Sequence, residues 1–487
     1  MTATTEPPPR SRTDVLLDSR LLAERPRPRA VARWRHAHWL AVGTVCLGAF
    51  LGQLTASVTS LVFPALQERF ATNFAAVEWV SLAYLLVLVA LLAPVGRLSD
   101  LVGRKTMYLG GFAVFALASL GAGLSNSLAL LVAWRAVQAV GGAMMQANSV
   151  ALVARGVPEH AMRTALGIQA AAQALGLALG PTLGGLLVAH ASWRWAFWIN
   201  VPIGALGLLA GWYLLPRTYP DGRPPRPPAD GESRFDLPGL LLLAGTSTAL
   251  LLALSAASGL PLPWWAVLVL LAAAGVLGVL LARQEQRADR PIVPPGLVNT
   301  PGIRAGLVIA LIGYLLLFCP LVLGPVMLAG AGVDPAAAGL VITALPAAFA
   351  VAATVGGGLL PNGCADATRC RWGALAAAGG LLALAVLPTG RLTTALPLLA
   401  LGYGLGLLLP ANNALVMRAI PAESSAVGGG LVNMVRSLGT ALGTALPVLA
   451  VHLAGPSGGG RGVLLLLAAT AAVAAVLTAV GRTARPC

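Results

Sequence analysis

Two arginines interrupt stretches of the sequence that are otherwise apolar, and no acid accompanies them. Arg135 and Arg436 each lie several residues inside a segment long enough to cross a membrane. A charge in hydrocarbon costs about 2.5–3.5 kcal/mol on insertion scales, so such a residue normally faces a polar interior and is functional. All seventeen acids fall in loops or near helix ends, and Glu78 comes closest to the interior. This pattern indicates binding of neutral or anionic molecules. It does not indicate catalysis, which would need several His, Asp, Glu or Cys side chains at one depth.

Each arginine has an amide side chain one helical turn away. Gln138 follows Arg135, and Asn433 precedes Arg436, so each amide can share hydrogen bonds with its arginine. We expect these four residues to line or support a polar cavity. Two alternatives remain open: Arg135 could extend to the membrane surface, and Arg436 could serve only to clamp its own helix.

A short charged loop, residues 96–105, holds the second group of candidate residues. It reads Gly-Arg-Leu-Ser-Asp-Leu-Val-Gly-Arg-Lys, with Gly96 and Gly103 suited to a tight turn. Asp100 and Arg104 can form an ion pair that also interacts with helix dipoles, and Lys105 follows directly. The alternative is an ordinary loop whose positive charges only set membrane orientation.

Small residues recur at helical spacing in a third group. Gly176, Gly180, Gly184 and Gly185 stand around Pro181. Glycines stacked along one helix face allow a neighbouring helix to approach closely, and a proline inside a helix produces a kink. Generic small-residue packing explains the first two glycines but not the whole string.

The elements that position these groups must be membrane-spanning helices. The chain has 487 residues, a mean hydropathy of +0.82 and 10% charged residues, which excludes a water-soluble globular protein. Apolar segments predict fourteen spans. They are residues 39–66, 77–96, 106–124, 128–154, 163–190, 196–215, 237–258, 262–282, 303–330, 336–360, 372–388, 393–417, 424–454 and 462–481.

The basic residues are distributed unevenly between the two sides that these spans create. The side that carries both termini holds 26 of the 32 basic residues, and the other side holds four. Both termini are therefore predicted to be cytoplasmic. Residues 1–38 form a basic tail, predicted to be disordered and able to touch anionic lipid.

Two polar stretches divide the spans into groups. The cytoplasmic linkers 216–236 and 283–302 isolate a helix pair at 237–282, and they leave six-helix bundles at 39–215 and 303–487. Shifting the chain by 263 residues aligns 151–180 with 414–443, where eleven of thirty positions are identical. The offset is eight spans, an even number, so the two copies are predicted to be parallel.

The motifs together resemble the major facilitator superfamily. The loop at 96–105 is similar to its signature G-x-L-x-D-x-x-G-R-K, and residues 135–142 are similar to its R-x-x-Q-G-x-G pattern, with Ala139 where glycine is usual. Residues 176–185 match the antiporter pattern G-x-x-x-G-P-x-x-G-G. The stretch 193–204 and the N-x-x-R-x-x-G of residues 433–439 resemble the fourteen-helix drug:proton antiporters.

The resemblance implies an all-α fold of two six-helix bundles plus an inserted helical pair, around a cavity that opens alternately to either side. It implies that Asp100 and Arg104 act as a conformational latch. One departure matters: the first-helix acid of the multidrug members is replaced by Thr55. Of the remaining titratable groups near outer helix ends, His190, His452 and Glu78, the last is the fallback coupling residue.

The function predicted is secondary active export of small apolar or amphipathic compounds, such as drugs or toxins, from a bacterium. Protons are the expected coupling ion, and the plasma membrane is the expected location. An exporter of a specific metabolite, siderophore or lipid is the close alternative, and a non-transporting sensor or a membrane enzyme is disfavoured. We expect no cofactor, no metal site, no nucleic-acid partner and a monomer. The sequence contains no G-x-x-x-x-G-K-[ST] loop, so ATP is not expected to drive transport directly.

Overall fold

The computed structural model describes most of the chain. The described residues are 24, 26–34, 36–217, 236–257, 259–288, 291–292, 295–354, 365–420, 425–455 and 460–480. Most of the predicted linker 216–236, parts of 283–302 and most of the tail 1–38 therefore lie outside the described residues.

Every regular element in these ranges is an α-helix, and fourteen of the helices are long. They are α1 Ala37–Leu61, α2 Trp79–Val102, α3 Arg104–Gly123, α4 Leu128–Gly156, α5 Glu159–His190, α6 Asn200–Leu214, α7 Leu237–Ala257, α8 Trp264–Arg287, α9 Pro301–Gly330, α10 Pro335–Thr354, α11 Asp366–Val386, α12 Arg391–Ala419, α13 Ser425–Ala454 and α14 Gly460–Val480. Short helices lie at Arg29–Ala32, Phe63–Phe70, Phe74–Val77, Trp195–Trp198 and Pro295–Val298.

The fourteen long helices correspond one to one to the fourteen predicted spans. Thirteen stretches of the described chain are long and apolar enough to cross a membrane, and the apolar part of α14 is shorter. The predicted span 39–66 divides in the structure, because Pro64 stands at the start of a separate helix, Phe63–Phe70. The predicted span 196–215 likewise begins as the short helix Trp195–Trp198.

The described residues at the end of the basic tail pack against the first bundle. Arg29–Ala32 forms a helical turn, and the side chain of Glu24 is buried. The Arg27 side chain donates a hydrogen bond to the carbonyl of Leu214, 2.6 Å away at the end of α6, and Arg217 donates one to the carbonyl of Glu24 at 2.8 Å. These bonds hold the segment against the bundle.

The helix packing repeats with the offset that the sequence indicates. In the first half the contacts are α1 with α4, α5 and α6, α2 with α4, and α3 with α4 and α6. Adding eight to each number gives the contacts of the second half: α9 with α12, α13 and α14, α10 with α12, and α11 with α12 and α14. The two halves are thus copies of one six-helix unit in the same chain direction.

The halves meet along two seams that the same repeat relates to each other. Helix α5 packs against α10, and α2 packs against α13. The inserted helix α7 contacts both α2 and α13, whereas α8 packs mainly on α7, with 6% of its span buried. We call the face with turns 71–73, 124–127, 191–194 and 331–334 the outer face, since the charge distribution predicts it to be extracellular.

Candidate functional site

A cavity lies between the two halves and is lined by both. Helices α1, α2, α4 and α5 contribute from the first half, and α9 and α13 from the second. Its polar lining residues are Gln53, Tyr84, Gln146, Ser149, Gln173, Tyr314, Arg436, Ser437 and Thr440. The described lining includes no acidic side chain, and its apolar part includes Leu85, Met145 and Phe318. Such a surface can bind an amphipathic molecule through ring contacts and neutral hydrogen bonds.

Arg436 lies where the halves meet in this cavity. Its guanidinium donates to the Oε1 atom of Gln173 at 3.5 Å, and its Cζ atom is 5.8 Å from the centre of the Tyr314 ring. Gln173 and Arg436 are 263 residues apart, which is the offset of the repeat, so they hold equivalent positions in the two copies. Their contact joins the first half to the second at the cavity.

Asn433 also contacts the first half, but it is not among the lining residues. The Gln146 side-chain amide donates to the Oδ1 atom of Asn433 at 3.4 Å. The expected sharing of hydrogen bonds between Asn433 and Arg436 is therefore replaced by partners from the opposite half. The predicted pair thus lies at the junction of the halves and not on α13 alone.

Arg135 is buried within the first half and does not extend to the surface. Its side chain is 1% exposed, its Nε atom donates to the carbonyl of Val80 at 2.7 Å, and it also bonds the Oε1 atom of Gln138. The Gln138 amide in turn donates to the Ser119 hydroxyl at 2.6 Å. This chain of hydrogen bonds connects α2, α4 and α3.

Tyr84 connects the Arg135 cluster to the cavity. The Tyr84 ring lines the cavity, and its centre lies 4.4 Å from the Cζ atom of Arg135. Arg135 and Gln138 themselves are absent from the described lining, because α4 turns them toward α2 and α3. Arg135 therefore affects the cavity by holding Tyr84 in place. It does so through the cation–π contact with the Tyr84 ring and through the hydrogen bond to the Val80 carbonyl, which lies on the same helix as Tyr84.

Thr55, the residue at the position of the family acid, also faces away from the cavity. Its side chain is 1% exposed, and its hydroxyl donates to the Oδ1 atom of Asn200 at 3.0 Å, at the start of α6. Gln53 and Ala56, on either side of it, do line the cavity. The helix turns the Thr55 side chain toward α6, so Thr55 is not among the described lining residues.

Glu78, which stands near a helix end in the sequence, is fully buried. Its side chain is 0% exposed and accepts a hydrogen bond from the Ser255 hydroxyl of α7. It lies at the junction of the helix Phe74–Val77 and α2, outside the described lining of the cavity.

The glycine string of α5 faces two different helices. A Cβ atom on Gly176 or Gly180 would collide with the backbone or side chains of α1, and one on Gly184 would lie 3.2 Å from the Cβ atom of Leu61. On Gly185 it would lie 2.7 Å from the Pro335 carbonyl of α10. Helix α5 runs unbroken through Pro181. The string thus allows close packing both within the first half and across the seam.

Contacts between the halves close the cavity toward the outer face. In the outer half of the α5–α10 seam, the hydroxyls of Thr182 and Thr343 are 2.6 Å apart, and a Cβ atom on Gly339 would lie 2.6 Å from the Pro181 carbonyl. Val322 and Val448 of the second half join an apolar cluster that otherwise consists of outer-end residues of the first half and the inserted pair. The described conformation is closed on the outer side.

The predicted signature loop is mostly helical. Helix α2 continues to Val102, so Gly96 lies inside it, where an added Cβ atom would meet open space. The turn itself is Gly103, with φ 104°, a conformation that favours glycine. Arg104 starts α3, whereas the Asp100 side chain lies outside the described set, so its pairing with Arg104 stays a prediction.

Two contacts of this loop involve partners that sequence reasoning missed. The Lys105 ammonium donates to the carbonyls of Trp212 and Leu215, at 3.1 and 2.8 Å, and so caps the end of α6. A carboxylate oxygen of Glu24 lies 2.6 Å from the place of a Cβ atom on Gly103. Glu24 is one of four acids in the tail 1–38, so the sequence did not single it out.

Loss of the latch is expected to reduce transport without loss of folded protein. Asp100→Asn keeps the size of the side chain and removes its charge, and Arg104→Ala removes the proposed partner. If the two residues form one relay, each variant should lower transport about tenfold, and the double variant should be less than additive. Transport in cells, corrected for membrane expression, measures this, and unchanged transport by either single variant would contradict the relay.

The fold and the cavity define a membrane transporter in which two copies of a helical bundle share one central site. The sequence profile described as Major Facilitator Superfamily matches residues 45–444, and the chain belongs to this superfamily.

The names of several relatives describe them as transporters of small molecules or as resistance proteins. The chain is 28% identical to the riboflavin transporter RibZ of Clostridioides difficile over 415 residues, which cover 84% of this chain and 87% of the relative. It is 30% identical to the tetracenomycin C resistance and export protein of Streptomyces glaucescens, over 84% of this chain and 75% of the relative. Identity to the methylenomycin A resistance protein of Streptomyces coelicolor is 31%, with 84% and 85% covered.

Two solved structures share the fold. The human organic anion transporter MFSD10 gives a TM-score of 0.62 at 17% identity, covering 91% of this chain and 99% of the other. A bacterial homologue of the human lysosomal transporter Spinster, in an inward-facing and unoccupied conformation, gives a TM-score of 0.63 at 15% identity, with 91% and 97% covered.

Proposed function

We propose that this protein exports small, largely apolar or amphipathic compounds across the bacterial plasma membrane by alternating access, with protons as the coupling ion. The observation that carries the proposal is the cavity that both halves line and that their contacts close on the outer side. Relatives named for resistance to tetracenomycin C and methylenomycin A support export of such compounds. The charge distribution supports cytoplasmic termini.

The charge of the cavity favours neutral or anionic substrates. Its described lining includes Arg436 and no acid, and Arg135 lies directly behind Tyr84. A cation entering this site would meet no compensating carboxylate, and an unpaired charge in a low-dielectric site is strongly disfavoured. Permanently cationic dyes are therefore expected to be poor substrates.

Transport by the purified protein in proteoliposomes tests the proposal. Tetracenomycin C, methylenomycin A and a quaternary ammonium dye are the probes, each measured with and without an imposed proton gradient. We expect gradient-dependent movement of at least one neutral or anionic probe, and Arg436→Gln is expected to weaken it. Strong export of the dye, with no movement of the other probes, would contradict the proposed substrate class.

A second candidate is transport of one specific metabolite, which the similarity to a riboflavin transporter favours. Riboflavin belongs in the same assay. Saturable movement of riboflavin that the other probes do not inhibit would favour this candidate over drug export.

Placing an acid in the cavity is expected to shift preference toward cations. Gln53→Glu adds a carboxylate of matched size to the lining, so uptake of the cationic dye into inverted vesicles should rise several-fold. Thr55→Asp is the control: it adds an acid two residues away, but against Asn200 and outside the cavity, so it should not raise dye transport. An equal gain in both variants would show that the cavity does not set the preference.

A further inference from the structure

Glu78 is a buried carboxyl group with one side-chain partner among the described residues. The Ser255 hydroxyl donates to its Oε1 atom, and Oε2 is buried without a hydrogen-bond partner among the described residues. Both Glu78 and Ser255 are 0% exposed. A carboxylate normally accepts several hydrogen bonds, so this environment suits the neutral acid much better than the ion.

The partner of Glu78 belongs to the inserted helix pair. Ser255 lies near the outer end of α7, in the seam between α2 and α13. Four residues further on, the Gly259 carbonyl accepts a hydrogen bond from the Asn73 side chain. His452 of α13 packs against the same turn, with its Cε1 atom 2.6 Å from the place of a Cβ atom on Gly259. We call this contact region of α2, α7 and α13 the outer seam.

The internal repeat relates the two seams to each other, but different contacts hold each seam closed. At the α5–α10 seam, Gly185 and Gly339 bring the backbones together directly. At the α2–α13 seam, α7 contacts both helices, and the contact buries an acid. Among the described side chains, the buried acid Glu78 thus gives the second seam a group whose charge can decide whether it closes.

We propose that Glu78 is a proton-binding site and that the outer seam closes over it when its carboxyl group is protonated. Ionised Glu78 needs water, which it obtains when the seam opens toward the outer face. A proton taken up from the outer side then permits closure. This inference rests on the proposed function for the proton as coupling ion, and it places the proton site apart from the substrate cavity.

The surrounding helices supply few other charges. Helix α7 has no ionisable side chain within its bounds, nor does the helix Phe74–Val77. The helix Phe63–Phe70, which contacts Phe74–Val77, carries Glu68 and Arg69, and both are exposed. From α13, His452 lies exposed at the outer end, and Arg436 faces the cavity. From α4, Arg135 bonds Val80 and Gln138. The ionisable residues of α1, His38 and Cys46, lie toward its opposite end.

Distance measurements between spin labels test the proposal without any substrate. The pair Asn126→Cys and Leu387→Cys reports the separation of the two halves at the outer face, in a protein whose five native cysteines are replaced by alanine. The closed state binds the proton more tightly, so raising the pH should favour the open state. A one-proton linkage raises the open-to-closed ratio by up to about tenfold per pH unit.

Three variants test whether Glu78 is the residue responsible for the pH dependence of the spin-label distance. Glu78→Gln has the shape of the protonated acid, so it should stay closed at mildly acidic and mildly alkaline pH. Glu68→Gln removes an exposed acid on the same face, and His452→Gln removes the neighbouring imidazole; both should respond to pH as the parent does. Size-exclusion profiles identify any variant that does not fold, in which case Ser255→Ala, which changes only the partner, replaces Glu78→Gln and should alter the pH midpoint.

A pH response retained in Glu78→Gln, or no response in the parent, would overturn the proton site. The substrate assays test the proposed function separately from the proton site. If no probe is exported, but the parent protein responds to pH and Glu78→Gln does not, the proton site is supported and the proposed substrate class is contradicted.

Discussion

Replacing Arg135 by alanine is expected to abolish transport. The Val80 carbonyl and the Gln138 amide would each lose a buried partner, at a cost of about 1–3 kcal/mol for each group left unsatisfied. The Tyr84 ring would lose the guanidinium at 4.4 Å and its fixed place in the cavity wall. The free and the substrate-bound protein share that cost, so the loss of binding comes from the displaced Tyr84 ring; we expect it to reach about tenfold, which corresponds to 1.4 kcal/mol. Substrate binding to purified protein and transport in vesicles measure the loss.

Two further variants separate the geometry of Arg135 from its charge. Arg135→Lys keeps the charge but cannot bond Val80 and Gln138 with one planar group, so it should remain strongly impaired. Arg391→Ala removes an exposed arginine whose ion pair with Asp334, at 3.6 Å, is worth about 0–1 kcal/mol, and transport should be unchanged. Near-normal transport by Arg135→Lys would show that charge alone matters.

Enlarging Gly339 is expected to hold the outer face open. In Gly339→Val the new Cβ atom would lie 2.6 Å from the Pro181 carbonyl, and backbone at that position cannot move aside as a flexible side chain can. Helices α5 and α10 should then fail to close, and transport should fall to background. Thr182→Cys, introduced beside it, reports the change, because the Thr182 hydroxyl now contacts Thr343 in the closed seam.

Gly379→Val is the matched control for this variant. Gly379 lies in α11, and a Cβ atom there would have no heavy atom within 4 Å. An impermeant thiol reagent should label the Thr182→Cys site rapidly in the Gly339→Val background and slowly in the Gly379→Val background. Equal labelling in the two backgrounds would mean that this glycine contact does not gate the outer face.

The number and order of the helices could be predicted from the sequence because the bilayer imposes their length. Every span must be long, apolar and hydrogen-bonded within itself, so the fourteen segments and their repeat are visible in one chain. The glycines at the α5–α10 seam were visible for the same reason, since small residues at helical spacing permit close approach.

The faces of the helices could not be predicted in the same way. A span that is apolar on all sides has no strong periodicity, so nothing in the sequence showed that Thr55 faces α6 while Gln53 faces the cavity. Three glutamines, Gln53, Gln146 and Gln173, line the cavity, and their polarity within apolar spans was the signal that could have identified them. Ser255 is 177 residues from Glu78, and no local pattern connects them.

The contact between Gln173 and Arg436 depends on both halves belonging to one polypeptide. In a dimer of two identical bundles, a residue on the twofold axis faces its own copy, so the axis would carry two arginines or two glutamines. The first pair repels and the second has no charge. Within one polypeptide the two equivalent positions can differ, and here they are a charged donor and a neutral acceptor. The centre of the molecule thus carries a single positive charge, an arrangement that two identical subunits could not provide.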